Sequence, residues 1–171
     1  VKAFRLRKTP GDLSADNFFL EYLHVVLNSG MNNQAAENIK QRFLKNLDFQ
    51  KIGHNGKRKA IKQVYDDLDI IYWQLQELQS DHLSNEKTLD FLESLPWIGP
   101  VTKYHLGKNI GLDVVKPDRH LVRLTDYFGY DSPDSMCYDI CMSTGDPVSV
   151  VDLILWRYCN LKGIVEEDNS S

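Results

Sequence analysis

The chain has 171 residues, of which 42% are hydrophobic, and a formal net charge of −4. This length suffices for one compact domain or two small lobes. The longest apolar run, Val148–Leu155, is interrupted by Asp152, which excludes a membrane span. Three cysteines are too few for a disulfide framework, and the basic start of the chain precedes no apolar core. We therefore expect an intracellular protein without a signal peptide, in the cytoplasm, nucleoid or nucleus.

Helical spacing of apolar residues dominates the first half of the chain, and strand-type alternation is rare. Ser14 or Asp16 is a plausible N-cap for the first helix, and Gly53 and Gly56 punctuate a loop. The predicted helices of this half cover residues 18–27, 33–47 and 57–73, with a further short helix or turn over 74–83.

The second half contains shorter helical segments separated by prolines and glycines. Ser84 gives an N-terminal signal for one helix, and Ser132 with Pro133 gives another. The sequence therefore predicts an all-α chain of about nine or ten helices, which in this half cover residues 88–94, 101–109, 120–128, 134–142 and 148–159.

Residues 95–100, Leu-Pro-Trp-Ile-Gly-Pro, form a hairpin between two helices. Gly99 is expected to take a positive φ, and Pro100 fits the first helical position, where a missing N–H costs nothing. The N–H groups near Val101 and Thr102 then lack intrahelical partners, and with the helix dipole they form an anion site that suits a DNA phosphate. The alternative is a structural turn without a ligand.

The carboxylate of Asp118 follows an extended segment, since residues before Pro117 avoid helix, and lies at the start of the next helix. One interpretation is an N-cap aspartate. The other is an ionised carboxylate that stabilises an oxocarbenium-like sugar or activates a nucleophile. The two interpretations are compatible, because a capping carboxylate is held in place.

Basic residues are unevenly distributed along the chain. Residues 51–62, the basic segment, contain four lysines and one arginine without an acid, and residues 103–123 contain five basic residues against two aspartates. A local basic face suits phosphate contacts, although the net negative charge counts against a nucleic-acid binder. The alternative is two ordinary solvated helix surfaces.

Together, these motifs resemble the helix-hairpin-helix DNA glycosylases, the superfamily of endonuclease III. Members carry a hairpin like L-P-G-V-G-x-K-T and, about twenty residues later, a catalytic aspartate within V-D-T-H-x-x-R. Here the corresponding segments are LPWIGPVT and PDRHLVRL, which places Asp118 on that aspartate. Three further segments resemble the family in the same order: VVLNSGMNNQAAENI at 25–39, IGHNGKRKAIKQV at 52–64 and VDLILWRYC at 151–159.

The resemblance implies a two-lobed all-α fold. Its central lobe would cover residues 28–124, with the helix-hairpin-helix at about 88–110, and its second lobe would join residues 1–27 to 125–171. The implied activity is that of a monofunctional glycosylase, which flips a modified or mismatched base out of double-stranded DNA and hydrolyses its N-glycosidic bond. The protein would act as a monomer.

Three departures from the family refine this expectation. Val101 stands where lyase members carry a lysine, and Lys103 would face about 200° around the helix, so no amine is placed for a Schiff base. Trp97 replaces the first hairpin glycine. The C-terminal four-cysteine cluster is absent, so we expect no iron–sulfur centre, no other cofactor and no metal site, with a monovalent cation at the hairpin as an open alternative.

The resemblance also assigns roles to individual residues, with Asp118 as the catalytic carboxylate. The expected DNA-backbone contacts are Trp97, Ile98, Gly99, Val101, Thr102 and Lys103. The expected base-pocket or gap-filling residues, each of which is also an ordinary loop residue, are Asn28, Met31, Asn32, Gln34, His54 and Asn55. The expected basic support comes from Lys57, Arg58, Lys59, Arg119 and His120.

Two other functions fit the same segments. LPWIGPVTKYHL and KPDRHLVRL also resemble phage-associated α-glutamyl/putrescinyl thymine pyrophosphorylases. These are thought to modify thymine in place, replacing an activated group on its 5-substituent with an amine or amino acid, and such a chain would be phage-encoded. The third hypothesis is a DNA-binding module without catalysis.

Overall fold

The computed structural model describes residues 13–80 and 85–162. Within these ranges the chain forms nine α-helices and one short 3₁₀ turn, without a β-strand, which confirms the all-α class. The predicted cap Ser84 and the end of the predicted 74–83 segment lie outside the described residues. The two-lobed helix-hairpin-helix arrangement stays a prediction.

The first compact unit extends to Leu112 and is built around its first helix. That helix, α1, packs against α2, α3, α4 and α6, and its residues Phe18, Tyr22, Leu23 and Val26 are fully buried. The helices of this unit are α1 (Ala15–Asn28), α2 (Asn33–Leu44), α3 (Asn55–Asp66), α4 (Leu68–Ser80), α5 (Asn85–Ser94) and α6 (Thr102–Asn109), with the 3₁₀ turn at Phe49–Lys51.

Local hydrogen bonds define both ends of α1. Ser14 is its N-cap, as one of the two predicted candidates, and its Oγ accepts from the Asn17 N–H at 3.2 Å. At the other end, the Lys57 Nζ donates to the carbonyl oxygens of Leu27 and Ser29 at 2.9 and 2.6 Å. A helix C-terminus has carbonyls without intrahelical partners and a negative dipole end, so a lysine ammonium satisfies it on both counts.

The predicted helix over 57–73 is two helices. Its first part, α3, begins earlier than expected, because His54 caps it through Nδ1, which accepts from the Lys57 N–H at 3.3 Å; Gly56 is thus helical rather than in a loop. The break falls at Asp67, between Asp66 and Asp69. Acidic residues are unfavourable at a helix C-terminus and favourable at an N-terminus, so this run ends α3 and begins α4.

The second compact unit begins at Asp113. Its helices start as the sequence predicts: Asp118 caps the first, and Ser132 caps the second in a capping box with Ser135 and Pro133 at the first turn. Its core is formed by Val115, Leu121, Leu124, Met136, Cys137, Val151 and Cys159. The helices are α7 (Arg119–Phe128), α8 (Pro133–Thr144) and α9 (Val148–Lys162).

The division into units falls after Leu112, whereas the resemblance implies lobe boundaries at residues 28 and 124. The implied lobes therefore stay a prediction. Among the described helices, none combines the length and the apolar character needed to cross a bilayer.

Candidate nucleic-acid interface and aspartate loop

The hairpin, residues 95–100, turns tightly after α5. The Leu95 N–H donates to the Leu92 carbonyl at 3.2 Å, and the Ile98 N–H donates to the Leu95 carbonyl at 3.1 Å. Its left-handed residue is Trp97, with φ 68°, whereas Gly99 does not have a positive φ. This corrects the expectation for Gly99. A non-glycine residue in this conformation costs roughly 1–2 kcal/mol, so its neighbours must stabilise it.

The Trp97 side chain packs against the start of α3. A Cβ atom added at Gly56 would lie 2.5 Å from Cζ3 of Trp97, so only glycine permits this approach. The His54 ring meets the Trp97 ring edge-on, with centroids 5.1 Å apart. The indole remains 40% exposed, so one part of it holds the hairpin on α3 while another is accessible to a ligand.

A second contact anchors the hairpin on α1. The buried Tyr22 hydroxyl donates to the Pro96 carbonyl at 2.6 Å, and burial raises the pKa of the Tyr22 phenol. In the sequence, Tyr22 fits an apolar helical stripe and is not distinguished from other core residues. Its role depends on a partner 74 residues away, which periodicity does not reveal.

At the start of α6, a local hydrogen bond fixes the backbone, while two backbone N–H groups remain available. The Gly99 N–H donates to Oγ1 of Thr102 at 2.7 Å, and the Lys103 N–H donates to the Gly99 carbonyl at 3.0 Å. Within the described residues, the N–H groups of Val101 and Thr102 have no acceptor, and Val101 provides no side-chain cap. These two donors are the ones that the sequence assigns to an anion.

Lys103 is more constrained than a free DNA-contacting lysine. Its Nζ lies 2.5 Å from Oε2 of Glu93 and 3.4 Å from Oδ1 of Asp90. The hydrogen bond with Glu93 raises the pKa of the Lys103 ammonium, despite an opposing effect of desolvation. The charge of Lys103 is thus compensated by carboxylates of α5, and the neighbouring Val101 is exposed.

Four of the predicted gap-filling residues lie in or beside the short loop between α1 and α2: Met31 and Asn32 are in the loop, whereas Asn28 ends α1 and Gln34 is in the first turn of α2. Asn28 is half-buried; its Nδ2 donates to the His24 carbonyl at 2.8 Å, and its buried Oδ1 has no hydrogen-bond partner among the described residues. Asn32 is the N-cap of α2 and accepts from the Gln34 N–H at 2.8 Å. The side chains of Asn32 and Gln34 are exposed, and Met31 is half-buried.

The basic segment divides into a buried and an accessible part. Lys57 is 4% exposed, and desolvation lowers the pKa of its ammonium, which is occupied by the two carbonyls at the end of α1. The accessible positive charge of this segment is therefore carried by basic residues other than Lys57. Lys59 is exposed, and Arg58 donates to Oε1 of Gln50 and Oδ1 of Asn55, both at 3.1 Å.

Asp118 caps α7 with a single oxygen. Its Oδ1 accepts from the N–H groups of His120 and Leu121 at 3.0 and 3.2 Å, which confirms the capping interpretation. Within the described residues, Oδ2 has no hydrogen-bond partner, and the side chain is half-buried. The carboxylate is therefore fixed by one oxygen and available through the other. Of its neighbours, Arg119 is exposed and His120 is half-buried.

Two further carboxylates hold the segment before Asp118, residues 113–118, which we call the aspartate loop. The buried Asp152 of α9 accepts from the Lys116 N–H at 2.9 Å through Oδ2. In return, Oδ1 of Asp113 accepts from the N–H and hydroxyl of Ser149 at 3.0 and 2.6 Å. Sequence reasoning missed Asp152 as a positioning residue, although a charge within the apolar run Val148–Leu155 was a usable signal.

Comparison with protein-family models, with curated proteins and with solved structures returns no match for this chain. The description of the site therefore depends on its own residues. Within the described part of the chain, no group of three or more histidine, cysteine, aspartate or glutamate side chains is arranged to hold a metal ion.

Proposed function

We propose that this chain is a monofunctional DNA glycosylase of the helix-hairpin-helix type, with Asp118 as its catalytic carboxylate. It would hydrolyse the N-glycosidic bond of a modified or mismatched base in double-stranded DNA. The observation that carries the proposal is the bonding of Asp118: Oδ1 is held by two backbone N–H groups, whereas Oδ2 has no hydrogen-bond partner among the residues that the structure describes. A fixed carboxylate with one uncommitted oxygen suits transition-state stabilisation.

The chemistry assigned to Asp118 follows from the bond that breaks. When a base leaves C1′ of a deoxyribose with the bonding electron pair, the sugar becomes oxocarbenium-like and positively charged. A carboxylate beside this sugar stabilises that charge, or accepts a proton from the water that attacks C1′. The products are a free base and an abasic site. Because a stacked base is inaccessible, the target nucleotide must first leave the duplex.

The hairpin is assigned to the DNA backbone. Its support comes from the N–H groups of Val101 and Thr102 at the positive end of the α6 dipole, which have no acceptor within residues 13–80 and 85–162 and suit one phosphate oxygen. The exposed part of Trp97 offers an aromatic surface beside these donors. A monovalent cation at the hairpin remains part of the proposal, as do a monomeric state, an intracellular location and the absence of an organic cofactor.

The monofunctional assignment is supported by the lysines near the hairpin. A Schiff-base nucleophile must be an unprotonated amine, and the pKa of Lys103 is raised by Glu93, so its ammonium stays protonated at neutral pH. At the position of the lyase lysine, the exposed Val101 carries no amine. Water is therefore the proposed nucleophile, and the DNA strand is left uncut.

The test is a panel of duplexes that carry deaminated, oxidised or alkylated bases, or mismatches, assayed for release of free base. On a substrate that the wild-type protein cleaves, Asp118→Asn should lower the rate by about 100- to 10,000-fold, since it removes the charge but keeps a capping oxygen. DNA affinity should change little. Asp126→Asn, an exposed aspartate of the same helix, is the matched control and should keep wild-type activity. Wild-type base release by Asp118→Asn would contradict the assignment.

A base-modifying transferase on the same scaffold is the second candidate, favoured by Trp97 in the hairpin and by Lys116–Pro117 before the aspartate. It would leave the base on the DNA. Mass spectrometry separates the two after incubation with DNA that carries an activated 5-substituted thymine, in the presence of an added amine or amino acid. A transferase forms a C–N bond at the 5-substituent, releases the activating group and leaves the amine-bearing nucleoside in the DNA, whereas a glycosylase releases a free base. If neither product forms and Asp118→Asn changes only stability, the third candidate, a binding module without catalysis, is favoured.

A further inference from the structure

A pocket of about 450 Å³ lies between the 3₁₀ turn and α3, within the first compact unit. Its walls include apolar surface from Leu47 and Phe49 and basic side chains from α3, namely Arg58, Lys59 and Lys62. The single carboxylate on its wall, Asp48, is within 4 Å of Lys51. The pocket volume is in the range of small-ligand sites.

Arg58 is held in place without being neutralised. Its Nη1 donates to Oε1 of Gln50 and its Nη2 donates to Oδ1 of Asn55, both at 3.1 Å. Both acceptors are neutral amides, and among the described residues no carboxylate lies within ion-pair distance of this guanidinium. Since a guanidinium has five N–H donors, further donors stay available in a fixed orientation.

Two of the three lysines near this pocket are paired with carboxylates. Lys62 is paired with Asp66 at 2.6 Å, and Lys51 with Asp48 at 3.8 Å. Lys59 is exposed and, like Arg58, has no carboxylate partner among the described residues. Arg58 and Lys59, which are adjacent in sequence, therefore contribute uncompensated positive charge to the wall of one pocket, and such charge attracts an anion.

The pocket also has an aromatic and apolar part. Phe49 is half-buried and packs edge-on against Phe43 and Tyr65, with ring centroids 5.0 and 5.6 Å away, so its position is fixed by its neighbours. Leu47 is 46% exposed and has a φ of 52°, which is unusual for leucine. An exposed leucine held in this conformation adds apolar surface beside the phenylalanine.

We infer that this pocket binds one nucleotide of a nucleic-acid strand, with its phosphate on Arg58 and Lys59 and its base or sugar against Leu47 and Phe49. The combination of a preorganised guanidinium with an aromatic and apolar wall fits a ligand that is anionic at one end and flat at the other. The inference rests on the proposed function, because it specifies a second contact with the DNA substrate, in addition to the hairpin.

The experiment is a titration of the full chain with three probes, namely thymidine monophosphate, thymidine and inorganic phosphate. Binding is followed by NMR of the backbone amides. The monophosphate should bind most tightly, with the largest shifts at residues 47–62. Arg58→Gln should weaken its binding by about tenfold, the effect of losing one charge-assisted contact. Arg42→Gln, which removes an exposed arginine bonded to the Asn38 carbonyl on α2, is the matched control and should have no effect.

A second variant examines the apolar wall. Leu47→Asn removes apolar surface while keeping a residue that tolerates a positive φ. It should therefore lower the affinity for the monophosphate several-fold without changing the affinity for inorganic phosphate. Equal binding of phosphate and monophosphate, or an unchanged affinity in Arg58→Gln, would overturn the inference. Asp118→Asn should bind the monophosphate normally. If no duplex loses a base while Arg58-dependent binding persists, the proposed activity fails and the nucleotide site stands.

Discussion

The two helices that follow the candidate functional segments begin in opposite ways. At the start of α7, a side chain closes the helix, because Oδ1 of Asp118 accepts from two of the first N–H groups. At the start of α6, Oγ1 of Thr102 accepts from the Gly99 N–H, and the N–H groups of Val101 and Thr102 have no acceptor in the described part of the chain. The first start is self-satisfied, and the second is open to an external anion.

This difference indicates why each segment needs support from elsewhere in its own unit. The aspartate loop is tied to α9 through Asp152, a buried carboxylate. The hairpin is tied to α1 through Tyr22 and to α3 through the ring of Trp97. The start of α7 depends on the backbone segment that positions its cap, Asp118. The start of α6 depends on contacts that hold its N–H groups in place without bonding to them.

The largest effect is expected from Asp152→Ala. The change leaves the part-buried Lys116 N–H without its acceptor, and a hydrogen bond to a charged group contributes about 1.5–3 kcal/mol. Asp152→Asn keeps an acceptor oxygen and removes a buried charge, so it should destabilise less. Urea unfolding of both variants measures the difference. Equal losses in the two would mean that the charge of Asp152, rather than its bond to Lys116, stabilises the aspartate loop.

Gly56→Ala addresses the support of the hairpin. The new methyl group would overlap the Trp97 ring, and overpacking of this kind costs about 1–3 kcal/mol. In a Trp97→Ala background the overlap is gone, and the same substitution should stabilise the protein, by up to about 1 kcal/mol, because alanine is the better helix former. Thermal unfolding of the four proteins gives this cycle. The same sign in both backgrounds would show that the ring does not constrain Gly56.

Asp118→Ala tests the closed start of α7 directly. Loss of the cap should destabilise the protein by about 0.5–2 kcal/mol, whereas Asp118→Asn should be nearly neutral, since asparagine is an equally good N-cap. Denaturant midpoints provide the measurement. Stability and activity should thus respond differently at this residue, because asparagine preserves the fold and removes the charge. Identical midpoints for the two variants would argue against the cap.

Tyr22→Phe should have the smallest effect, about 0.5–1.5 kcal/mol, because it removes one hydrogen bond to the Pro96 carbonyl. The effect depends on pH. Burial raises the pKa of Tyr22, so the folded protein holds the hydroxyl proton more tightly than the unfolded chain does. In the unfolded chain the pKa of the phenol is about 10. The tyrosine's contribution is complete below about pH 10 and is lost as the pH rises through the folded-state pKa. Urea unfolding of both proteins at pH 8 and 10.5 should show the advantage of tyrosine shrinking at the higher pH.

Helix starts were predictable from sequence where a side chain bonds to its own neighbourhood. Ser14, Asp118 and Ser132 lie within three residues of the N–H groups that they cap, so their role is written in the local pattern. The all-α class followed from periodicity in the same way. The split at Asp67 was missed because the apolar stripe continues across it, while the run of aspartates that ends α3 acts through the helix dipole.

The supports of the two segments were not predictable, because they join distant parts of the chain. Tyr22 and Pro96 are 74 residues apart, Lys57 and Leu27 are 30 apart, and Asp152 and Lys116 are 36 apart. Lys57 looked like part of a basic surface and is buried among carbonyls instead. Likewise, glycine at position 99 suggested the left-handed residue, whereas the fold places that conformation at Trp97.

The packing of Trp97 on Gly56 also restricts how sequences of this kind can diverge. A side chain at position 56 is accepted only after position 97 has become smaller, whereas a smaller residue at position 97 is compatible with glycine at 56. The order of substitution is therefore constrained, and the intermediate that gains bulk at 56 first is selected against. Related chains should consequently show glycine at 56 whenever a large aromatic occupies 97, a correlation that an alignment of such chains would test.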